Sequence, residues 1–152
     1  MATGLTQLLE GFEVKRFPEG TRTAEDAARA IGCSIGQIVK SLVFLAGGRP
    51  VVALVSGRNR LDPDRLGRLA GLPVAKADAE TTRTATGFAI GGVPPFGHLE
   101  PLPVYIDRDL LGYVVVWAAA GRPDSVFAIA PDRLLQMTGG EVADVKLEGP
   151  VA

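Results

Sequence analysis

Residues 38–56 read IVKSLVFLAGGRPVVALVS, and this stretch predicts a hairpin of two buried strands. Apolar residues dominate both arms, at 40–46 and 50–56, as is typical of strands in a protein core. The Gly47-Gly48 pair between the arms favours a two-residue turn, because glycine readily adopts the positive φ angles that such turns require. The hairpin is therefore the centre of the predicted fold.

Helix and strand signals flank this hairpin on both sides. Thr23 begins a capping motif with Asp26, and Asp62-Pro63 places a capping residue before a proline in the first helical turn. Further helical segments are predicted at 6–11, 34–39, 80–85 and 131–138, and further strands at 13–17, 104–107, 113–118, 125–130 and 141–145. Hairpins with irregularly interspersed helices favour an α+β fold with a mixed sheet. No linker interrupts residues 1–152, which predicts a single domain.

Composition restricts the classes of protein to which this chain could belong. Its 152 residues carry a formal net charge of −1, which argues against a broad basic face that coats nucleic acid. Its apolar runs are far shorter than the roughly 20 residues of a membrane-spanning helix, so we expect no membrane association. The single cysteine cannot form an internal disulfide, and the N-terminus lacks the pattern of a secretory signal. We therefore expect a cytoplasmic protein.

Few residues could perform the common catalytic chemistries. His98 and Cys33 are the only histidine and the only cysteine, so neither a His/Cys metal site nor a Ser-His-Asp arrangement is predicted. Cys33 lies between a helix-ending glycine and a capping serine, where a small, half-buried apolar role is expected. His98 has two interpretations, a loop residue with a local hydrogen bond or a titrating catalytic group. We expect no metal and no cofactor.

Two other features suggest chemistry of their own. Lys40 enters an apolar strand, where period-two alternation places it on one face with Leu42 and Phe44. Its ammonium either extends to solvent along its aliphatic stem or faces a cleft in which a negative group binds. The second feature is the loop GGVPPFGH at 91–98, where glycines permit close approach of a ligand and two prolines stiffen the backbone. This loop forms either a tight connection or a backbone-lined pocket.

The combination of IVKSLVF at 38–44 with GGVPP at 91–95 resembles the YbaK/ProX family of editing domains, and the resemblance extends from Phe17 to Val145. It implies a compact α+β domain whose mixed, mostly antiparallel sheet is partly closed into a barrel with surrounding helices. It implies hydrolysis of mischarged aminoacyl-tRNA, bound by its 3′-terminal adenosine, without a metal or a protein nucleophile. The tRNA is often that for proline, carrying a small amino acid such as alanine, serine, threonine or cysteine, and a synthetase is a possible partner.

By the same resemblance, family roles transfer to individual residues of this sequence. Lys40 holds the terminal nucleotide or the negative charge that develops at the ester. Gly91 and Pro95 match the ends of a GxxxP loop whose backbone positions the aminoacyl group and the attacking water. The substrate-binding residues that the resemblance implies are Phe17, Ser41, Gly92, Val93, Pro94 and His98.

The sequence departs from the family pattern at one position near the end of a predicted strand. Ala119 stands in a region where some relatives carry a serine, which puts assignment to the cysteine-editing branch in question. The alternative function is a non-catalytic module of the same fold that binds tRNA or a synthetase. Retention of Lys40 and of the GxxxP loop argues against this alternative.

A basic cluster follows the hairpin, on a loop and in the helix after it. Its members are Arg58, Arg60, Arg65 and Arg68. The cluster either contacts tRNA phosphates or is a solvated surface that Asp62 and Asp64 partly offset.

Overall fold

The computed structural model describes residues 2–17 and 23–148, in which short helices and strands alternate. The helices are α1 (Ala2–Leu8), α2 (Ala24–Ile31), α3 (Pro63–Ala70), α4 (Ala79–Thr86) and α5 (Pro131–Thr138). The strands are β1 (Val14–Arg16), β2 (Val39–Ala46), β3 (Arg49–Ser56), β4 (Val74–Lys76), β5 (Val104–Asp107), β6 (Val116–Ala119), β7 (Ser125–Ile129) and β8 (Glu141–Ala143). Short 3₁₀ helices lie at Ile35–Gln37 and Arg108–Gly112.

Helix ends follow the local signals in the sequence. The Thr23 side chain caps α2 by accepting a hydrogen bond from the Asp26 N–H at 3.0 Å. The Asp62 side chain caps α3 by accepting from the Asp64 N–H at 3.0 Å, and Pro63 occupies the first turn of that helix. Helices α2 to α5 each end at a glycine with left-handed backbone. Because these signals are local, they predict the bounds of α2 to α5 closely. The predicted end of the first helix at Gly11 is wrong, because α1 ends at Leu8.

The central hairpin contributes two neighbouring strands to the larger of two sheets. This sheet has the order β4-β2-β3-β5-β8, in which β2 pairs antiparallel with β3 and β4 while β5 pairs parallel with β3 and β8. The smaller sheet has the order β1-β7-β6 with antiparallel pairs. A parallel bridge between Ile38 and Trp117 connects the start of β2 to β6. The α+β fold with mixed, mostly antiparallel pairing is confirmed.

The expected barrel closure is wrong. In the described ranges, 2–17 and 23–148, neither sheet closes on itself, because β4 and β8 form the edges of one sheet and β1 and β6 those of the other. Strand β6 also begins at Val116 rather than at Tyr113, since the intervening Val114 is 91% exposed and lies outside any strand. Strand β4 was not predicted, because its short, largely exposed sequence lacks the apolar alternation of a buried strand.

One cluster of buried side chains joins both sheets to the GxxxP loop. The Phe127 side chain, on β7, has no solvent exposure, and its ring contacts that of Phe96 with centroids 5.6 Å apart. Val93 belongs to the same cluster and is 2% exposed. Core packing therefore fixes the loop against the sheets.

Candidate functional site

A cavity of about 320 Å³ lies where β2 approaches the GxxxP loop. Lys40 and Ser41 of β2 line it together with Gly91 and Val93 of the loop, so the structure brings these four sequence-predicted residues to one site. The other lining residues are Thr23, Ala24, Ala27, Ile38, Val39, Leu42, Ile90, Trp117, Ala119, Pro123, Ser125 and Val126. The volume lies near the lower end of the roughly 300–1,000 Å³ of small-molecule sites. Most of this lining is apolar, and Lys40 is its one charged side chain among the residues that the structure describes.

The loop side of this cavity is held by short-range contacts. Gly91 has a φ of 89°, which glycine adopts without strain. The Gly92 N–H donates to the Ala89 carbonyl at 2.9 Å, and a Cβ at Gly92 would lie 2.9 Å from the Arg122 backbone. The two glycines therefore serve different needs, a left-handed backbone at one position and close chain packing at the next.

Four predicted site residues, three of the binding set and the loop residue Pro95, do not line the cavity. Gly92, Pro94 and Pro95 are buried and do not belong to the lining. Phe17 is half-buried and packs against a cluster that includes Trp117, a residue of the cavity wall. The structure thus leaves these four predicted residues outside the cavity lining.

His98 lies at a different cavity, of about 260 Å³, between α1 and the end of α4. Its Nε2 is 2.7 Å from the Pro94 carbonyl oxygen, so the neutral ring with a proton on this nitrogen donates a hydrogen bond to the loop. Burial lowers the pKa of His98, and the bond to Pro94 only partly opposes this effect. His98 therefore braces the GxxxP loop from outside the candidate site.

We expect acidification to destabilise the protein through His98, its only histidine. The folded-state pKa lies below the ordinary value of 6.5, so the unfolded chain takes up the proton first as the pH falls. The free energy of unfolding should therefore decrease below about pH 6.5, and less so in His98→Gln, whose amide can still donate to Pro94. Thermal unfolding at about pH 7.5 and about pH 5.5 measures the difference. An equal decrease of Tm in both proteins would contradict this prediction.

Lys40 lies at the junction of the candidate site with a second cavity of about 500 Å³, which it lines together with Asn59 and Arg60. The Lys40 ammonium donates a hydrogen bond to the Asn59 carbonyl oxygen, so the charge is held on the side of the second cavity. Burial lowers the pKa of Lys40, the positive charge of Arg60 lowers it further, and Asp107 partly opposes both effects. The environment therefore favours an additional negative group beside this ammonium.

A buried polar network fixes the carbonyl that Lys40 contacts, and sequence reasoning missed it. Asp107 is 1% exposed, and its carboxylate accepts from the Asn59 amide at 2.8 Å and from the Ser56 N–H at 3.0 Å. The Asn59 amide also donates to Asp109 at 2.8 Å. Because 48 residues separate Asn59 from Asp107, no local sequence pattern could have indicated this contact. A polar residue at the end of an apolar strand was the only available signal.

Hydroxyl groups provide further polarity in the candidate site. The Ser41 Oγ is buried without a hydrogen-bond partner in the described part of the chain, and Ser41 lines the cavity. A buried hydroxyl without a partner is unfavourable, so a bound substrate atom would stabilise it. Ser125 also lines the cavity, on the strand next to Ala119, and it offers a hydroxyl where Ala119 has none.

Cys33 has the apolar role that its sequence context predicts. It is half-buried and packs against the cluster that contains Ile38 and Trp117. Burial raises the pKa of its thiol, which disfavours the reactive thiolate. Over residues 2–17 and 23–148, no group of three or more His, Cys, Asp or Glu residues is arranged to hold a metal ion. In the same ranges, no helix has the length and apolar character needed to cross a bilayer.

Comparison with known proteins agrees with this architecture. Residues 18–137 match the family model of the aminoacyl-tRNA editing domain. EbsC of Enterococcus faecalis, which is named for deacylation of Cys-tRNA(Pro) and Cys-tRNA(Cys), is 29% identical over 85% of this chain and 80% of its own length. A proline–tRNA ligase of Elusimicrobium minutum is 32% identical over 91% of this chain, which corresponds to 25% of the ligase. A crystal structure described as a trans-editing enzyme for prolyl tRNA synthetase superposes with a TM-score of 0.90, at 50% identity and 97% coverage of both chains.

The chain therefore belongs to the aminoacyl-tRNA editing domain family, as the resemblance of its two motifs implied. Membership of this family makes it a hydrolase that removes a wrongly attached amino acid from tRNA by cleaving the ester bond. Its relatives include both proteins of similar length and domains within larger prolyl-tRNA ligases.

Proposed function

We propose that this protein acts in trans, in the cytoplasm, on the ester between a small uncharged amino acid and the 3′-terminal adenosine of tRNA. The tRNA for proline is the expected substrate, because the chain resembles prolyl-tRNA ligase domains and a trans-editing enzyme for that synthetase. The observation that carries the proposal is the cavity shared by Lys40 and the GxxxP loop. A single editing domain across residues 1–152 and a synthetase partner are parts of the same proposal.

In the proposed reaction, the cavity binds the aminoacyl group and the loop at Gly91–Pro95 orients it toward a water molecule. Attack of that water on the ester carbonyl forms the acid, and the ribose oxygen leaves with a proton. The neighbouring ribose hydroxyl can transfer this proton, so the substrate supplies part of its own catalysis. Because the ester is already activated, orientation and polarisation provide a useful rate without a protein nucleophile.

The cavity lining defines which amino acids suit the site. Lys40 is the single charged lining residue of the described chain, so a cationic substrate side chain would find no opposite charge and would be costly to bury. An acidic side chain would compete with the Asn59 carbonyl and with the terminal phosphate for the Lys40 ammonium. The partnerless Ser41 Oγ can accept a hydrogen bond from the substrate's ammonium. Ser125 offers a second hydroxyl in the same cavity. These features favour alanine, serine, threonine or cysteine.

A panel of mischarged tRNAs tests this proposal. The purified protein should deacylate at least one of Ala-, Ser-, Thr- and Cys-tRNA(Pro), and it should spare correctly charged Pro-tRNA(Pro). Release of the labelled amino acid from each tRNA, compared with spontaneous hydrolysis, gives the rates. A protein that binds these tRNAs but does not accelerate hydrolysis would be the non-catalytic module, and the proposed function would be wrong.

A further inference from the structure

The second cavity at Lys40, which we call the basic groove, concentrates positive charge. Its polar lining consists of Lys40, Arg58, Asn59, Arg60 and Lys76, with no acidic lining residue in the described part of the chain. The protein as a whole has a formal net charge of −1, so the excess of positive charge is local. A groove lined by one sign of charge attracts ligands of the opposite sign. The basic groove therefore suits an anion.

The structure divides the basic cluster of the sequence into different environments. Arg65 forms ion pairs with three carboxylates, which neutralise it. Arg68 lines a separate cavity beside α3 together with Asp64. Arg58 and Arg60 are exposed, and neither forms an ion pair within residues 2–17 and 23–148. Among the described residues, neither guanidinium group is therefore held in an ion pair, and Arg58 borders both the basic groove and a neighbouring cavity that Asp109 also lines.

The loop that carries Arg58 and Arg60 is held in place by the backbone. The Gly57 N–H donates to the Ile38 carbonyl at 2.7 Å. A Cβ at Gly57 would lie 2.5 Å from the Ile35 carbonyl oxygen, so the chain can pass this closely only with glycine. The start of the loop that carries Arg58 and Arg60 is therefore anchored next to β2, the strand that carries Lys40. Because this loop is already held in place, ligand binding loses less conformational entropy of the loop.

We propose that the basic groove binds phosphates of the single-stranded 3′ end of tRNA, with Arg58, Arg60 and Lys76 as the contacts. The inference rests on the proposed function, since it concerns the remainder of the same substrate. Lys40 lines both the groove and the aminoacyl cavity, and one ribose separates the ester of an aminoacyl-tRNA from its nearest phosphate. The planar guanidinium of arginine can donate two parallel hydrogen bonds to phosphate oxygens. The two cavities thus match the two chemically different parts of one substrate.

The test compares two double variants that remove equal charge. Arg58→Gln with Arg60→Gln changes the groove, whereas Arg49→Gln with Arg83→Gln changes exposed arginines outside it. Two substrates are hydrolysed, Ala-tRNA(Pro) and alanyl-adenosine, which has the ester but no phosphate. In addition, binding of a fluorescent single-stranded RNA that ends in CCA is measured by anisotropy over a range of salt concentrations.

For the groove variant, we expect kcat/KM on the tRNA to fall at least about tenfold more than kcat/KM on alanyl-adenosine. The plot of log association constant against log salt concentration for the CCA-ending RNA has a negative slope. Its magnitude should become smaller by about 0.7 for each phosphate contact removed. The control variant should retain the parent's activity on both substrates. Equal losses on tRNA and alanyl-adenosine, an unchanged salt slope, or an equal effect of the control variant would each overturn the inference.

These measurements separate failure of the inference from failure of the proposed function. If none of Ala-, Ser-, Thr- and Cys-tRNA(Pro) is hydrolysed but the RNA binds with the expected salt dependence, the proposed function is wrong and the groove assignment stands. If the tRNA is hydrolysed and the groove variant matches the parent, the function stands and the groove assignment is wrong.

Discussion

Replacing Lys40 with methionine is expected to lower kcat/KM for deacylation by about ten- to a hundredfold. The ammonium lies at the junction of the aminoacyl cavity and the basic groove, where it can contact a terminal phosphate or the charge that develops at the ester. A hydrogen bond to a charged group contributes about 1.5–3 kcal/mol, and about 1.4 kcal/mol corresponds to tenfold in rate. Steady-state deacylation of the best substrate in the tRNA panel measures the loss.

The same substitution should leave the fold intact. Burial and the charge of Arg60 both lower the pKa of Lys40, which means that the folded protein disfavours this ammonium relative to solvent. Methionine keeps most of the aliphatic stem, and it removes the charge. We therefore expect Lys40→Met to have a Tm equal to or above that of the parent. A large decrease of Tm would show that the lost activity reflects unfolding.

Cys33→Ser is the matched control for this experiment. The thiol is half-buried and its pKa is raised, so it should not act as a nucleophile, and serine should preserve the activity. If Cys33→Ser abolishes deacylation while Lys40→Met retains it, the proposed mechanism is wrong. If both variants retain activity, Lys40 has no catalytic role, and catalysis depends on the loop and the rest of the cavity.

Features set by neighbouring residues were predictable from the sequence. The cap at Thr23, the proline at Pro63 and the glycine turn of the central hairpin each depend on a few consecutive residues, and the structure confirms all three. Lys40 and the GxxxP loop line one cavity, and this proximity could be predicted only from the family resemblance, because 51 positions along the chain separate Lys40 from Gly91. Interactions between neighbouring residues determine where helices, strands and turns form, but they do not determine which of these elements pack together.

Long-range features could not be predicted in this way. The parallel pairing of β5 with β3 and β8 depends on how the chain returns across the sheet, and no residue pattern in 104–107 encodes it. The four arginines of the basic cluster have similar sequence contexts, but Arg65 is neutralised by carboxylates that include Asp144. Only the folded chain distinguishes Arg65 from Arg58.

Removing the Asp107 carboxylate is expected to reduce the free energy of unfolding by about 2–4 kcal/mol. Asp107→Ala leaves the buried Ser56 N–H and the Asp109 N–H without this partner and releases the Asn59 amide, so three hydrogen bonds are lost together. For a chain of this size, Tm should fall by about 5–15 °C. Asp144→Ala, which removes a half-exposed partner of Arg65, should lower the free energy by only about 1 kcal/mol or less. Similar Tm values for the two variants would contradict the prediction.

The network should also influence the reaction, because Asn59 holds the carbonyl oxygen that receives the Lys40 ammonium. Asn59→Ala keeps this carbonyl and removes the side chain that Asp107 and Asp109 fix, so the ammonium loses its defined position. We expect kcat/KM to fall about tenfold at a temperature well below Tm. In a Lys40→Met background the same substitution should have little further effect, since the positioned group is already absent. A purely structural role would lower activity by the same factor in both backgrounds, and that result would show that Asn59 does not act through Lys40.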